Sequence, residues 1–452
     1  MRKNGVLSFV VVLCSMATFG QTNPAITGWL INDQGLMGSH YVQGNSTPIS
    51  DNVAANVQQV QYSNSWVYVH TNGIPSYVTG PFLDGNPSLA TDQNAIFKFP
   101  LNPVQNTGTP SPTTGGNIGV FVNGVALFDY RDGVSWNNNT QAEGGGPIQG
   151  PPGQGVWNRD AIVAERAGFD CAKGHPAMGN YHHHQNPSAF DLDLVTLSSV
   201  CNLYDADGLY VINPNEHSPL IGYAYDGYPI YGAYGYLNTD GSGGIVRMKS
   251  SYQLRDIAVR THYADGTDVT DGPAVSSTYP LGRYREDYEF VAHSNEPDYL
   301  DEHNGRYCIT PEYPNGIYAY FCTVDENWNS AYPYAVGPTF YGVKNAMKVT
   351  SVTEAVTTYN PTVEMLEKND SERWKAYFDK SLDVVVLQYK GLLRENGMLN
   401  CWDSKGGLLQ TRSLAAGSTI VFIEASSWLS GQYFIELRSG ENRTVLKVQI
   451  NR

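Results

Sequence analysis

The sequence predicts a mainly β protein: a large β-rich, loop-rich domain followed by a small C-terminal β-sandwich. Three observations predict it. Charged residues make up only 16% of the chain, while Gly (46), Pro (25) and Tyr (31) are abundant, a composition of strands and tight turns. Apolar residues alternate over short runs instead of recurring at helical spacing. One stretch reads as a helix, 158–168, with Ala, Glu and Arg in its body and Gly168 at its end.

Residues 1–20 read as a signal peptide. Arg2 and Lys3 precede the apolar run Val6–Met16, and small or polar residues follow before Gln21. The run is too short to span a membrane, and Leu13 before Cys14 argues against a lipoprotein cleavage site. Residues 21–56 form a polar leader with little periodicity. The large domain is placed at 57–345. Its strands include Val67-Tyr68-Val69 and 95–100, and a hairpin turns at Asn123-Gly124. The Thr/Pro/Gly-rich stretch 107–116 and the Gly/Pro-rich stretch 144–155 are loops. Residues 346–357 read as a linker, and short alternating strands at 383–387, 418–423 and 432–437 place the β-sandwich at 358–452.

A net charge of −15 and a pI near 5.0 leave no basic stripe for phosphates, so no nucleic-acid partner is expected. No integral membrane segment is expected either. No Gly-x-Ser-x-Gly elbow, His-Glu-x-x-His pair or phosphate loop occurs, which removes the common serine hydrolases, zincins and nucleotide enzymes. Five cysteines remain past the signal. Cys308 and Cys322 flank a turn between strands and are expected to form a disulfide in an exported compartment. Cys171 and Cys201 are a second candidate pair, and Cys401 is left as a small buried hydrophobe.

Four of the ten histidines fall within ten residues: His175, His182, His183 and His184. On an extended segment His182 and His184 share one face and His183 takes the other. Two like-facing imidazoles can supply nitrogen ligands to zinc or copper. His175, between Gly174 and Pro176, is placed in a turn from which it returns as a third ligand. The alternative is a polar strand whose imidazoles bond backbone and water. Further candidates are His217, Asp226, Tyr231, Asp301 and Arg306, with Glu302 and Glu312 nearby. Each has a structural alternative: a strand entry at His217, a turn at Asp226-Gly227, a wall tyrosine at Tyr231, and a loop-fixing ion pair between Asp301 and Arg306.

Two stretches carry family resemblances. His175-Pro176, Gly179 and Tyr181-His182-His183-His184 resemble the defining Tyr-His-Tyr-His stretch of the YHYH domain family, with His183 where the family has its second tyrosine. The blocks 70–82, 116–125, 217–232 and 300–320 extend the resemblance over about 57–345. It implies the domain without a reaction. In the tail, Tyr359-Asn360-Pro361-Thr362, Cys401 to Gly407, Trp428 to Ile435 and Lys447 to Ile450 resemble the C-terminal sorting domain of type IX secretion substrates. That resemblance implies secretion or cell-surface display by the type IX machinery of a Bacteroidota-like bacterium, with tail removal.

The sequence supplies no catalytic residue and leaves three readings. One is an exported domain binding a divalent or copper ion through His175, His182 and His184, with or without hydrolytic or oxidative activity. Another is an extracellular adhesion module, metal-free, that holds a glycan, peptide or small molecule. The last is a structural protein whose histidines stabilise the fold.

Overall fold

The computed structural model describes residues 23–452 apart from 34, 46, 85–87, 149, 188–213, 328, 361–373, 381, 390–395 and 440–441. Strands dominate it. The described helices are single turns, Pro24–Thr27 and Ala161–Ala164, with 3-10 turns at Arg166–Gly168 and Arg285–Asp287. None of them is long and apolar enough to cross a membrane. The helix expected over 158–168 is thus shortened. Asn158–Asp160 is a strand, and the Asp160 side chain caps the turn that follows by accepting from the Ile162 and Val163 amides.

Two sheets face each other across the main core. One is five-stranded, with Met347–Val349, Ala95–Pro100, Trp66–Thr71, Val57–Tyr62 and Thr357–Tyr359 side by side. Its alternation is plain at Ala95, Phe97 and Phe99, which are buried while Ile96 and Lys98 are only partly so. The other sheet is eight-stranded, in the order Gly174–Ala177, Asn180–His183, Ala126–Phe128, Asn117–Phe121, Leu220–Ala224, Pro229–Tyr231, Ile317–Phe321 and Gly305–Cys308. Val60, Val67, Phe97 and Phe99 of the first sheet meet Val120, Leu127, Ile221, Tyr223 and Ile230 of the second in one apolar core. The Asn123-Gly124 turn joins two neighbours of this sheet, with Gly124 at φ +84°. Gly119 and Gly222 let adjacent backbones close up: a Cβ on Gly222 would lie 2.7 Å from the Val120 carbonyl oxygen.

The flanks of this domain are more structured than their sequences suggest. The stretch read as a linker supplies one edge strand of the five-stranded sheet, Met347–Val349, and the other, Thr357–Tyr359, runs from its last residue into the stretch read as the β-sandwich. The stretch read as a polar leader buries Ile26 and Trp29 in the core and pairs Met37–His40 with Ile49–Ala54. Edge strands are held by backbone hydrogen bonds, so few apolar residues mark them.

The tail folds into two sheets. Trp374–Asp379, Val384–Tyr389 and Ile420–Glu424 form one; Leu408–Leu414, Gly397–Asp403, Gly431–Ser439 and Asn442–Ile450 form the other. Val385, Leu387, Leu399, Cys401 and Ile435 fill the core between them. Val384 and Val386 point the other way and, with Ile420, pack against Ile74, Tyr77, Val125 and Tyr181 of the large domain. Strand alternation across two cores explains the unbroken Val-Val-Val-Leu run.

The expected Cys308–Cys322 disulfide is absent: both are buried thiols outside any disulfide. They lie at opposite ends of one hairpin. Cys308 pairs with Ile317 while Gly305 pairs with Tyr320, which separates Cys308 from Cys322 by five residues of strand, roughly 17 Å. Cys171 is disulfide-bonded; Cys201, its expected partner, lies outside the described residues. Cys401 is a buried free thiol.

Candidate metal centre

The histidine hairpin forms one edge of the eight-stranded sheet. Asp170 fixes its entry. One oxygen accepts from the Ala172 and Gly174 amides, the other from the Gly80 amide, and the Tyr181 hydroxyl donates to both. Gly174 has no room for a side chain, because a Cβ there would lie 2.4 Å from the Tyr181 hydroxyl. The reversal comes at Met178-Gly179, both at positive φ (48° and 86°), as a two-residue type I′ hairpin demands.

His175 is therefore on a strand, not in the turn expected of it, and its Cα pairs directly with that of His182. Pro176 is tolerated because this strand is the sheet edge. His182 and His184 point to the same side, as alternation predicts. Their Nε2 atoms are 3.1 Å apart, and those of His175 and His184 are 3.3 Å apart. His183 faces the other way, with its Nε2 2.8 Å from the Tyr77 hydroxyl.

A fourth group converges there that the sequence reading missed. Glu165, which closes the Ala161–Ala164 turn, brings Oε2 to 3.4 Å from the Nε2 of both His175 and His184. That oxygen is buried and makes no hydrogen bond of good geometry. Arg159 sits close enough to favour Glu165's charged form. It is itself held by Asp132, Nε to Oδ2 at 2.5 Å, and by Glu143 at 3.2 Å. Asp160, the cap of the same turn, accepts from the Tyr334 hydroxyl at 2.8 Å, and burial pushes its carboxyl up to about 7.

Ring orientation decides what this cluster can hold. His182 Nδ1 lies 2.8 Å from the Asn180 carbonyl oxygen, and His184 Nδ1 lies 2.5 Å from that of Asp129. A carbonyl only accepts, so both Nδ1 atoms carry hydrogen. In the neutral rings both Nε2 atoms are then bare acceptors, 3.1 Å apart and facing each other. Acceptors in such contact need a proton or a cation between them. Burial holds His175 down at about 4 and His182 far below its ordinary value. Burial also opposes charge on His184, but the Glu165 carboxylate and the Asp129 carbonyl outweigh it and raise that ring. Glu165 is likewise penalised by burial and lowered overall by His184. Phe128 stacks on His182 at 3.8 Å, and Phe169 sets its edge against His175 at 4.8 Å.

The other candidates are not brought to this cluster. Asp226 accepts from the Tyr320 hydroxyl (2.6 Å) and the Gly342 amide (2.8 Å). Asp301 accepts from Tyr318 (2.8 Å) and from the His303 and Gly305 amides. The ion pair expected between Asp301 and Arg306 does not form, because Arg306 donates to the carbonyls of Tyr236, Leu237 and Pro297. Tyr231 donates to Glu312 at 2.9 Å, and His217 packs edge-on against it while its Nδ1 reaches the Ser218 carbonyl. Glu302 is exposed.

These features define a β-sheet protein with a buried three-histidine cluster at one sheet edge, its nitrogens close enough together that they could hold a metal ion. The chain belongs to the YHYH protein family: the model of that family matches residues 96–333, more than half of the chain. No curated protein matches the chain in sequence.

Proposed function

We propose that this is an exported, metal-binding YHYH protein that holds one divalent ion through His175, His182, His184 and Glu165. One observation carries the reading: imidazoles whose Nδ1 atoms are tied to carbonyls aim bare Nε2 atoms at one point, beside an unbonded carboxylate oxygen. The spacing supports zinc over copper(II). His175 Nε2, His184 Nε2 and Glu165 Oε2 form a triangle with sides of 3.3, 3.4 and 3.4 Å. A tetrahedron with bonds of about 2.0–2.1 Å has edges of about 3.3 Å. A square plane cannot place three cis ligands in an equilateral triangle.

An ion held there would supply Lewis acidity. The chain's own residues would orient and shield it. The Asn180 and Asp129 carbonyls fix the two rings, Phe128 and Phe169 keep water from the flanks, and Arg159 adds a smaller attraction that favours the charged form of Glu165.

Metal content of untagged purified protein tests the reading. About one zinc per chain is expected, lost in His182→Ala and His184→Ala and kept in His183→Gln. Equal metal content in all three variants would leave the histidines a structural role. The export half rests on the signal-like start and the sorting-like tail. Deleting 358–452 should strand the protein in the periplasm, and normal surface delivery of that truncation would refute it.

A further inference from the structure

A second site lies beyond the aromatic cluster of Tyr130, Phe169 and Tyr332. It is a cavity of about 490 Å³, within the size range of small-ligand pockets. One wall is a two-stranded sheet, Tyr252–Leu254 paired with Tyr288–Phe290. Tyr252 stands opposite Phe290, their rings 5.6 Å apart, and Tyr288 stacks on Tyr332 at 4.2 Å. The wall thus presents aromatic rings set at an angle, 59° between Tyr252 and Phe290, and Phe290 is 37% exposed on it.

Arg285 also lines this cavity. Its Nε lies 3.3 Å from Glu286, but its two terminal nitrogens make no hydrogen bond among the described residues. The other cation, Arg131, is already engaged by Asp129 (2.5 Å) and the Thr113 carbonyl (2.6 Å). One open guanidinium fork therefore faces the space, suited to a planar carboxylate bound through two parallel hydrogen bonds. Asp265, which is exposed, and Glu289, which is half-buried and accepts from Gln253, also line the cavity. Those carboxylates can only accept hydrogen bonds, so they suit hydroxyl groups. They and Glu286 also disfavour a dianion such as a phosphate monoester, for which the described lining residues offer no second open cation.

We propose that this cavity binds a hexuronic-acid unit of an acidic saccharide. The carboxylate sits on Arg285, the C–H face of the sugar ring lies over the exposed Phe290 ring with an edge against Tyr252, and hydroxyls reach Asp265 and Glu289. The site is independent of the histidine cluster.

Isothermal titration of the full chain with galacturonic acid trisaccharide, its methyl ester and neutral galactotriose tests it. The acid should bind saturably and at least tenfold more tightly than either neutral sugar. Arg285→Gln should remove that preference, leave weak neutral binding in place, and keep the wild-type melting temperature. No saturable binding of the acid, equal binding of acid and ester, or acid binding unchanged in Arg285→Gln would each overturn the proposal. The ester comparison needs no variant, so it stands even if Arg285→Gln fails to fold.

Discussion

Two regions of the eight-stranded sheet bury ionisable groups, and they resolve the same problem in opposite ways. Toward the Gly305–Cys308 edge, Asp226 and Asp301 are surrounded by donors: Tyr320 and Tyr318 hydroxyls and the amides of Tyr228, Gly342, His303 and Gly305. At the histidine edge, acceptors face acceptors, and the Glu165 oxygen, 3.4 Å from two of the rings, makes no hydrogen bond of good geometry. Buried polar groups are costly unless satisfied. The first region is complete as folded and reads as architecture. The second is complete only with something positive at its centre. Burial alone does not separate structure from function here; the donor–acceptor count does.

The largest expected effect comes from removing a histidine. Zinc at about 100 times its dissociation constant adds about 2.7 kcal/mol to stability, which in a protein of this size raises the melting temperature by several degrees. His184→Ala should abolish both the bound metal and that rise. Glu165→Gln keeps the shape but removes the charge, and should weaken zinc by roughly 10–100-fold, the range seen when groups around a metal are changed. Chelator competition measures both. If the Glu165 variant keeps wild-type affinity, the site is a three-nitrogen one and the carboxylate belongs to the architecture.

The matching change in the other region should leave metal untouched. Tyr320→Phe strips a donor from buried Asp226 and should cost about 1–3 kcal/mol in urea unfolding, with zinc content unchanged. Metal loss in that variant would mean the two regions are not independent.

Titration distinguishes them further, in metal-free protein. Burial pushes the Asp226 carboxyl up to about 6, above the ordinary 3.8, so the folded state holds that proton more tightly than the unfolded chain does. Its contribution is present below about pH 4 and is lost as pH rises through 6. Burial holds His175 down at about 4 against an ordinary 6.5. Its contribution is present above pH 6.5 and is lost as pH falls through 4. Relative to wild type, Asp226→Asn should therefore gain stability as pH rises, and His175→Gln as pH falls. Unfolding midpoints between pH 4 and 8 give the two slopes; slopes of the same sign would contradict the contrast.

How much of each region was legible follows from the range of the forces involved. Strand alternation is local, so the shared face of His182 and His184 and the opposite face of His183 could be read directly. His175 was placed in a turn because Gly174 and Pro176 flank it. Its actual strand position depends on being at the sheet edge, where a missing amide does no harm. Glu165 was visible only as a residue in a helical stretch. Its approach to the histidines is set by Asp160 capping the turn and by the packing of Phe169, neither of which leaves a spacing signature. The cysteine pairing failed for the same reason: flanking a turn says nothing about register, and the register puts Cys308 and Cys322 at opposite ends of the hairpin.

The smallest expected effect tests the hairpin itself. Met178 holds φ at +48°, a region that costs a residue with a Cβ about 1 kcal/mol or more. Its side chain is 99% exposed, so it earns no packing in return. Asn is the preferred residue before Gly in a type I′ turn because its short polar side chain tolerates that conformation. Met178→Asn should therefore stabilise the protein by a few tenths to about 1 kcal/mol. The turn sets the register that places His175 opposite His182, so zinc affinity should hold or rise slightly. A loss of stability would show that the methionine makes a contact in the native state. Retained stability with weakened zinc would show instead that the ligand geometry depends on strain at the turn, and the contrast between a complete region and one awaiting its cation would have to include the backbone as well as the side chains.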